Sequence, residues 1–190
     1  MKTKLPIALS NKHIHLSQND LNILFGEGYE LTRFKDLSQP GQYACEEKVD
    51  IVGPKGTLKG VRILGPVRSD TQIELSISDS FALGVKPVVR NSGDILDTPG
   101  AKVVGPKGEI EIDKGVIVAA RHIHMYTKDG EDYGVKDKDI VSVKVSGPRG
   151  LVFDNVLVRV AENFALEMHV DIEEGNAAGV RNGDMVEIIK

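Results

Sequence analysis

A chain of 190 residues is long enough for one or two small domains with real hydrophobic cores. Its formal net charge of −4, with the basic residues dispersed, argues against a nucleic-acid partner, and no stretch approaches the roughly 18 apolar residues of a membrane span. The lone Cys45 excludes an internal disulfide and suits a reducing compartment, while 20 glycines, many Val and Ile and no long helical stripe predict short strands joined by turns.

The segment from Met1 to Lys12 is too short, and lacks the apolar centre, for a secretory signal. Next stands His13-Ile14-His15, which recurs 109 residues later as His122-Ile123-His124 and so takes four of the five histidines. In an extended segment residues i and i+2 share a face, so each copy offers two imidazoles side by side with Ile turned away, the geometry of a two-toothed metal clamp. A single His-x-His is weak grounds for a metal; two copies in a chain that uses almost no histidine elsewhere are strong grounds.

After the first clamp, Ser17 is placed to cap a short helix that Gly26 closes. A loop containing Gly and Pro follows, and then short apolar segments over residues 49–52 and 58–64 flank Gly53-Pro54-Lys55-Gly56. The same turn recurs as Gly105-Pro106-Lys107-Gly108 and Gly147-Pro148-Arg149-Gly150. Each reads as a hairpin connector with a solvated basic residue, Pro setting φ and Gly permitting a positive φ, and none has the spacing of a phosphate loop.

The repeats suggest that the two halves are copies. Val88-Val89-Arg90-Asn91-Ser92-Gly93-Asp94 is echoed by Gly179-Val180-Arg181-Asn182-Gly183-Asp184, and Ala82-Leu83-Gly84-Val85 by Ala177-Ala178-Gly179-Val180. Aligning Gly84 with Gly179 sets an offset of 95, at which Glu74 falls on His169, the fifth histidine. If His169 is the third ligand of one clamp, Glu74 is the natural third ligand of the other.

These residues carry a resemblance. Ser10-Asn11-Lys12-His13-Ile14-His15-Leu16-Ser17, Gly65-Pro66-Val67-Arg68 with Thr71-Gln72-Ile73-Glu74, Ala119-Ala120-Arg121-His122-Ile123-His124, and Glu167-Met168-His169 with Asn176-Ala177-Ala178-Gly179 closely resemble the PduL-type phosphate propanoyltransferases, in the family's order and over essentially the whole chain. The resemblance implies a mainly β fold of two similar β-barrels capped by short helices, related by internal duplication, with the N-terminal strand joining the C-terminal barrel and the site between the barrels. It divides the chain into 1–45, a strand, short helix and loop packing with the C-terminal barrel; 46–115, a central barrel; and 116–190, the C-terminal barrel.

Carried over by position, the resemblance implies two zinc ions per chain. His13, His15 and Glu74 would hold one, with coenzyme sulfur in the open position; His122, His124 and His169 would hold the other, with waters completing its shell. Arg68 matches the arginine expected to hold phosphate, and Ser10, Lys35, Arg62, Leu64, His169 and Asn176 match positions expected to line coenzyme A. The activity implied is a phosphotransacylase exchange of a propanoyl or acetyl group, acyl-CoA plus inorganic phosphate giving acyl phosphate plus CoA, in a homo-oligomer. Family members packed into bacterial microcompartments often carry an N-terminal amphipathic extension for which residues 1–9 leave no room. A cytoplasmic enzyme of acetate or propionate metabolism is therefore expected, an untagged resident of a propanediol-degrading microcompartment being the alternative.

The chemistry asks for these parts. Thioester exchange needs a stabilised thiolate, a positioned phosphate and a polarised carbonyl; zinc suits thiolate, and three protein ligands with a vacancy mark a catalytic rather than a structural site. Direct attack by phosphate is expected, since no side chain stands out as a covalent nucleophile. The two ligand sets differ by one charge, which would sort thiolate from phosphate. A metal-dependent thioester hydrolase and a non-catalytic metal-binding module are the alternatives, separated by phosphate dependence and by turnover.

Overall fold

The computed structural model describes residues 1–189. In chain order it contains β1 (Lys4–Ser10), β2 (His13–His15), α1 (Gln18–Phe25), β3 (Arg33–Asp36), β4 (Tyr43–Val52), β5 (Thr57–Gly65), β6 (Gln72–Glu74), α2 (Ile77–Leu83), β7 (Val89–Arg90), β8 (Ala101–Val104), β9 (Glu109–Ile112), β10 (Val116–Ala119), β11 (His122–Met125), α3 (Thr127–Tyr133), β12 (Ile140–Val145), β13 (Leu151–Val160), β14 (Glu167–Asp171), α4 (Ile172–Ala178) and β15 (Met185–Ile189). The fold is mainly β with short helices, as expected. None of the described helices is long and apolar enough to cross a membrane.

The chain forms two compact units, one of Met1–Asn11, Ser38–Pro40 and Ala120–Lys190 and the other of Lys12–Leu37 and Gly41–Ala119. In the first, a closed barrel runs β1, β14, β11, β13, β12, β15. The N-terminal strand closes it, parallel to β14 from Ile7 opposite Met168 to Ser10 opposite Asp171, and antiparallel to β15. Alternation puts Leu5, Ile7, Ile123, Met168 and Val158 in a fully buried core. The second unit is a curled, open nine-stranded sheet ordered β7, β10, β6, β2, β5, β4, β8, β9, with β3 on β4. Ile14, Leu21, Leu24, Ile51, Ile63, Ile73 and Leu83 fill its core.

The duplication is visible in the strand pairing. Each clamp strand lies between a parallel and an antiparallel neighbour, β2 between β5 and β6, and β11 between β13 and β14. Gly84 and Gly179, the residues that set the repeat offset, are the left-handed caps that end α2 and α4 at φ of 86° and 69°. The counterpart of β1 in the open sheet is β10, which runs parallel to β6 as β1 runs parallel to β14. Each of these strands directly precedes a clamp in sequence but belongs to the other unit.

The three glycine-proline turns join β4 to β5, β8 to β9 and β12 to β13, as hairpin connectors should. Their glycines differ from expectation: only Gly147 has a positive φ. At Gly53 an added Cβ would lie 2.3 Å from the carbonyl oxygen of Leu83, and at Gly108 2.6 Å from that of Ile23, so the missing side chain lets the turn dock on the last turn of a helix. Lys55 N donates to Leu83 O (3.1 Å), Lys107 N to Leu24 O (3.0 Å) and Arg149 Nε to Ala177 O (3.1 Å). The basic residue is therefore not merely solvated. It stands at the C-terminal end of α2, α1 or α4, where free carbonyls need donors and the helix dipole favours positive charge.

Candidate metal centres

The alternation that buries Ile14 and Ile73 sends His13, His15, Gln72 and Glu74 to the opposite face of the open sheet. His13 faces Glu74 across β2 and β6, and His15 faces Gln72. The two imidazole centroids are 5.0 Å apart, and Nε2 of His13 lies 3.5 Å from Oε2 of Glu74. His15 Nδ1 is 3.2 Å from the carbonyl oxygen of Leu64, a contact that places the proton on Nδ1 and leaves Nε2 as the electron-pair donor. Burial, with positive neighbours at His13 and Arg68, pushes the His15 pKa down to about 3, so this imidazole is neutral at physiological pH, as a ligand must be. For Glu74, burial alone favours the protonated acid; the two imidazoles and Ser92 outweigh it and hold the carboxyl well below the usual range.

A polar network fixes this cluster from behind. Ser92 Oγ donates to Glu74 Oε1 (2.9 Å) and accepts from Gln72 Nε2 (2.9 Å) and from Arg68 Nη1 (3.2 Å). One hydroxyl thereby uses its single proton and both lone pairs. Gln72 Nε2 also donates to Glu74 Oε1 (2.7 Å), and Gln72 Oε1 accepts from the backbone of Gly93 (2.7 Å). With Oε1 occupied, Oε2 is the oxygen Glu74 presents toward His13.

The second cluster sits on the barrel. Ile123, Met125, Met168 and Val170 are buried in its core, so His122, His124, Glu167 and His169 share the other face of β11 and β14. His122 Nδ1 is 2.8 Å from the carbonyl oxygen of Ala120, again leaving Nε2 as donor. His169 stacks on His122 at 5.2 Å and meets His124 edge-on at 5.0 Å, and Phe164 packs against His124. In each cluster, His13, His15 and Glu74 or His122, His124 and His169, the donor atoms lie within 4.8 Å of one another. Donors of one tetrahedral zinc stand about 3.3 Å apart, from bond lengths of about 2.0 to 2.1 Å, so both sets fit a zinc after a small contraction.

The remaining expected positions divide between the units. Ser10 ends β1 and Asn176 lies in α4, both in the unit that holds His169; Lys35 on exposed β3, Arg62 and Leu64 on β5 are in the unit that holds His13. Arg62 pairs with His13 in register, donates to the Cys45 carbonyl and lies over Phe34 at 4.8 Å. Cys45 is fully buried and its thiol is pushed up to about 11, by burial first and then by Glu47, which leaves it no thiolate to attack with. Sequence reasoning missed Gln72, Ser92, Ser38 and Glu167. For Gln72 and Glu167 the signal was present, since each stands two residues before a proposed ligand on the same strand face.

A family model described as phosphate propanoyltransferase matches residues 6–181. A phosphate propanoyltransferase of Thermotoga maritima is 60% identical over 185 residues, 97% of this chain and 88% of its own. Those of Clostridioides difficile and Rhodopseudomonas palustris are each 50% identical, over 98% of this chain and 89% and 83% of their own. With that likeness extending across both histidine clusters and the strands that carry them, the chain belongs to the phosphate propanoyltransferase family.

Proposed function

We propose that this protein is a phosphotransacylase that moves a short acyl group, propanoyl or acetyl, between coenzyme A and inorganic phosphate, holding one zinc ion at each histidine cluster. The observation that supports this best is the pair of three-donor clusters, each one donor short of a closed tetrahedral shell, in a chain of this family. Bound zinc would stabilise the coenzyme thiolate and polarise the thioester carbonyl. His13, His15 and Glu74 are assigned to the ion that receives the coenzyme sulfur, and His122, His124 and His169 to the second. A phosphate oxygen bonds to the carbonyl carbon, the carbon–sulfur bond breaks, and sulfur leaves with the electron pair, so no general acid is needed.

The chain's own side chains prepare that step. Arg68, oriented by Ser92, holds phosphate and offsets the repulsion between two anionic reactants. Ser92 also touches Glu74, so the phosphate arginine and a metal ligand are set by the same hydroxyl. Ser10, Lys35, Arg62, Leu64 and Asn176, with His169, line the coenzyme in this reading. Metal analysis of purified protein, paired with thioester loss from acetyl- and propionyl-coenzyme A with and without phosphate, tests it. Two metals per chain and phosphate-dependent turnover are expected, with His15→Ala and His124→Ala each removing about one metal. Phosphate-independent thioester loss would favour a hydrolase, and metal without turnover a binding module.

A further inference from the structure

The two clusters differ in how many bonds their ligands can make. An imidazole lends a metal one nitrogen, whereas a carboxylate can lend one oxygen or both, and a second oxygen would fill the position that three donors leave open. Of the two clusters, the one on the open sheet alone contains a carboxylate, Glu74, so only there does the number of bonds need control. The same strand face supplies a side chain for that task. Gln72 stands two residues before Glu74 on β6, faces His15 across β2 and is buried.

Both ends of the Gln72 amide are engaged. Its Oε1 accepts from the backbone N–H of Gly93 (2.7 Å), a group that can only donate, and this fixes which end of the amide is the nitrogen. The two protons on Nε2 then serve Glu74 Oε1 (2.7 Å) and Ser92 Oγ (2.9 Å). Because Ser92 accepts from both Gln72 and Arg68 Nη1 (3.2 Å), its own proton goes to Glu74 Oε1 (2.9 Å). Two donors thus converge on one carboxylate oxygen, which has two lone pairs. Oε1 is saturated, and Oε2, 3.5 Å from Nε2 of His13, is the oxygen of Glu74 left to bind a metal. The barrel cluster is built differently: the position corresponding to Gln72 is Glu167, which faces His124, lies 3.0 Å from Nε2 of His169 and accepts from Ser38 Oγ. Three imidazole ligands there need no such restraint.

We propose that Gln72 is a positioning residue that, together with Ser92, restricts Glu74 to one metal bond and so keeps the fourth position of the open-sheet site clear for the coenzyme sulfur. The inference rests on the metal reading above and deepens it. With Gln72 in place, His13, His15 and Oε2 of Glu74 give the ion three bonds, and the fourth is left to substrate. Without Gln72, Oε1 loses a donor, the carboxylate can turn to offer both oxygens, and sulfur must displace one of them to enter. Gln72 acts through Glu74 and not on the substrate.

The test reads coordination, not turnover. The full chain carrying His124→Ala, which leaves the open-sheet cluster intact, is freed of metal and loaded with cobalt alone. Four-coordinate cobalt absorbs visible light several times more strongly than cobalt with five or six ligands, and a thiolate on the ion adds a near-ultraviolet band. The parent should show the strong spectrum. Adding Gln72→Leu should lower the visible absorption per bound cobalt about twofold or more, and raise the 2-mercaptoethanol concentration at the midpoint of the thiolate band about tenfold. A merely structural role would weaken cobalt uptake but leave both readings per bound cobalt at the parent's values. Parental values in Gln72→Leu, or a weak spectrum in the parent, overturn the inference alone. A parent that takes up no cobalt overturns the metal reading itself, and this inference with it. Should Gln72→Leu fail to fold or to hold cobalt, Ser92→Ala decides. It removes the other donor to Oε1, and parental values there would show that these hydrogen bonds do not set how many oxygens Glu74 gives the ion.

Discussion

Single side chains settle most of the chemistry. With Arg68 on phosphate as proposed, Arg68→Ala removes a charge-assisted contact worth roughly 2 to 3 kcal/mol, so the KM for phosphate should rise by tens of fold while that for acyl-coenzyme A changes little. Ser92→Ala should raise the phosphate KM by less and also weaken metal retention at the Glu74 cluster, because the hydroxyl touches both groups. Steady-state kinetics with each substrate varied in turn, beside metal content, separates the two effects. Glu47 offers a test of stability at a carboxyl outside both histidine clusters. Burial pushes its carboxyl up, but hydrogen bonds from Thr32 and Tyr29 prevail and hold it below its ordinary value. A folded carboxyl with a depressed pKa contributes stability above its unfolded pKa and loses that contribution as pH falls through the folded value. Tyr29→Phe should therefore cost about 1.5 kcal/mol near pH 7 and distinctly less near pH 3, read from urea midpoints. Equal costs at both would show that the tyrosine hydroxyl does not act through the ionised carboxylate. Glu74 was legible in the sequence because the repeat offset set it against His169. Ser92 and Ser38 were not: Ser92 lies inside the repeated Val-Arg-Asn segment but has no counterpart in the second copy, and Ser38 reaches its site from a loop with no local pattern to mark it.

At the level of elements, helix α1 was readable from Ser17 and Gly26, which cap it as expected. Helix α2 has the same signals, Ser76 accepting from the Asp79 amide and Gly84 in the left-handed region, yet its seven residues are too few for a 3.6-residue period to show. The three glycine-proline turns were recognisable as turns, whereas their role depends on which helix end packs there, and no local pattern encodes that. The role can be tested at Gly53, where an added methyl would meet the Leu83 carbonyl. Gly53→Ala should cost about 1 to 3 kcal/mol and lower the melting temperature, while Gly93→Ala, with open space around it but a φ of 98°, should cost less. A Gly53→Ala protein as stable as the parent would mean that the turn is free to lift from α2.

At the scale of the whole molecule, the placement of β1 and β10 has a consequence for how this chain can be divided. The first half of the sequence lends its opening strand to the barrel, and the open sheet draws β8, β9 and β10 from beyond residue 100. A cut after Leu96, which is exposed, would therefore not release two smaller proteins. A fragment from residue 97 onward would leave the edges of β14 and β15 bare where β1 belongs, and bare edges recruit other chains. Expressed alone, that fragment should aggregate or unfold without cooperativity; refolded with residues 1–96 it should recover a single sharp transition by circular dichroism. Cooperative unfolding of the lone fragment would refute this. The two halves are alike enough in sequence to be copies, yet the copy is not the folding unit: inheritance and folding cut this chain at different places.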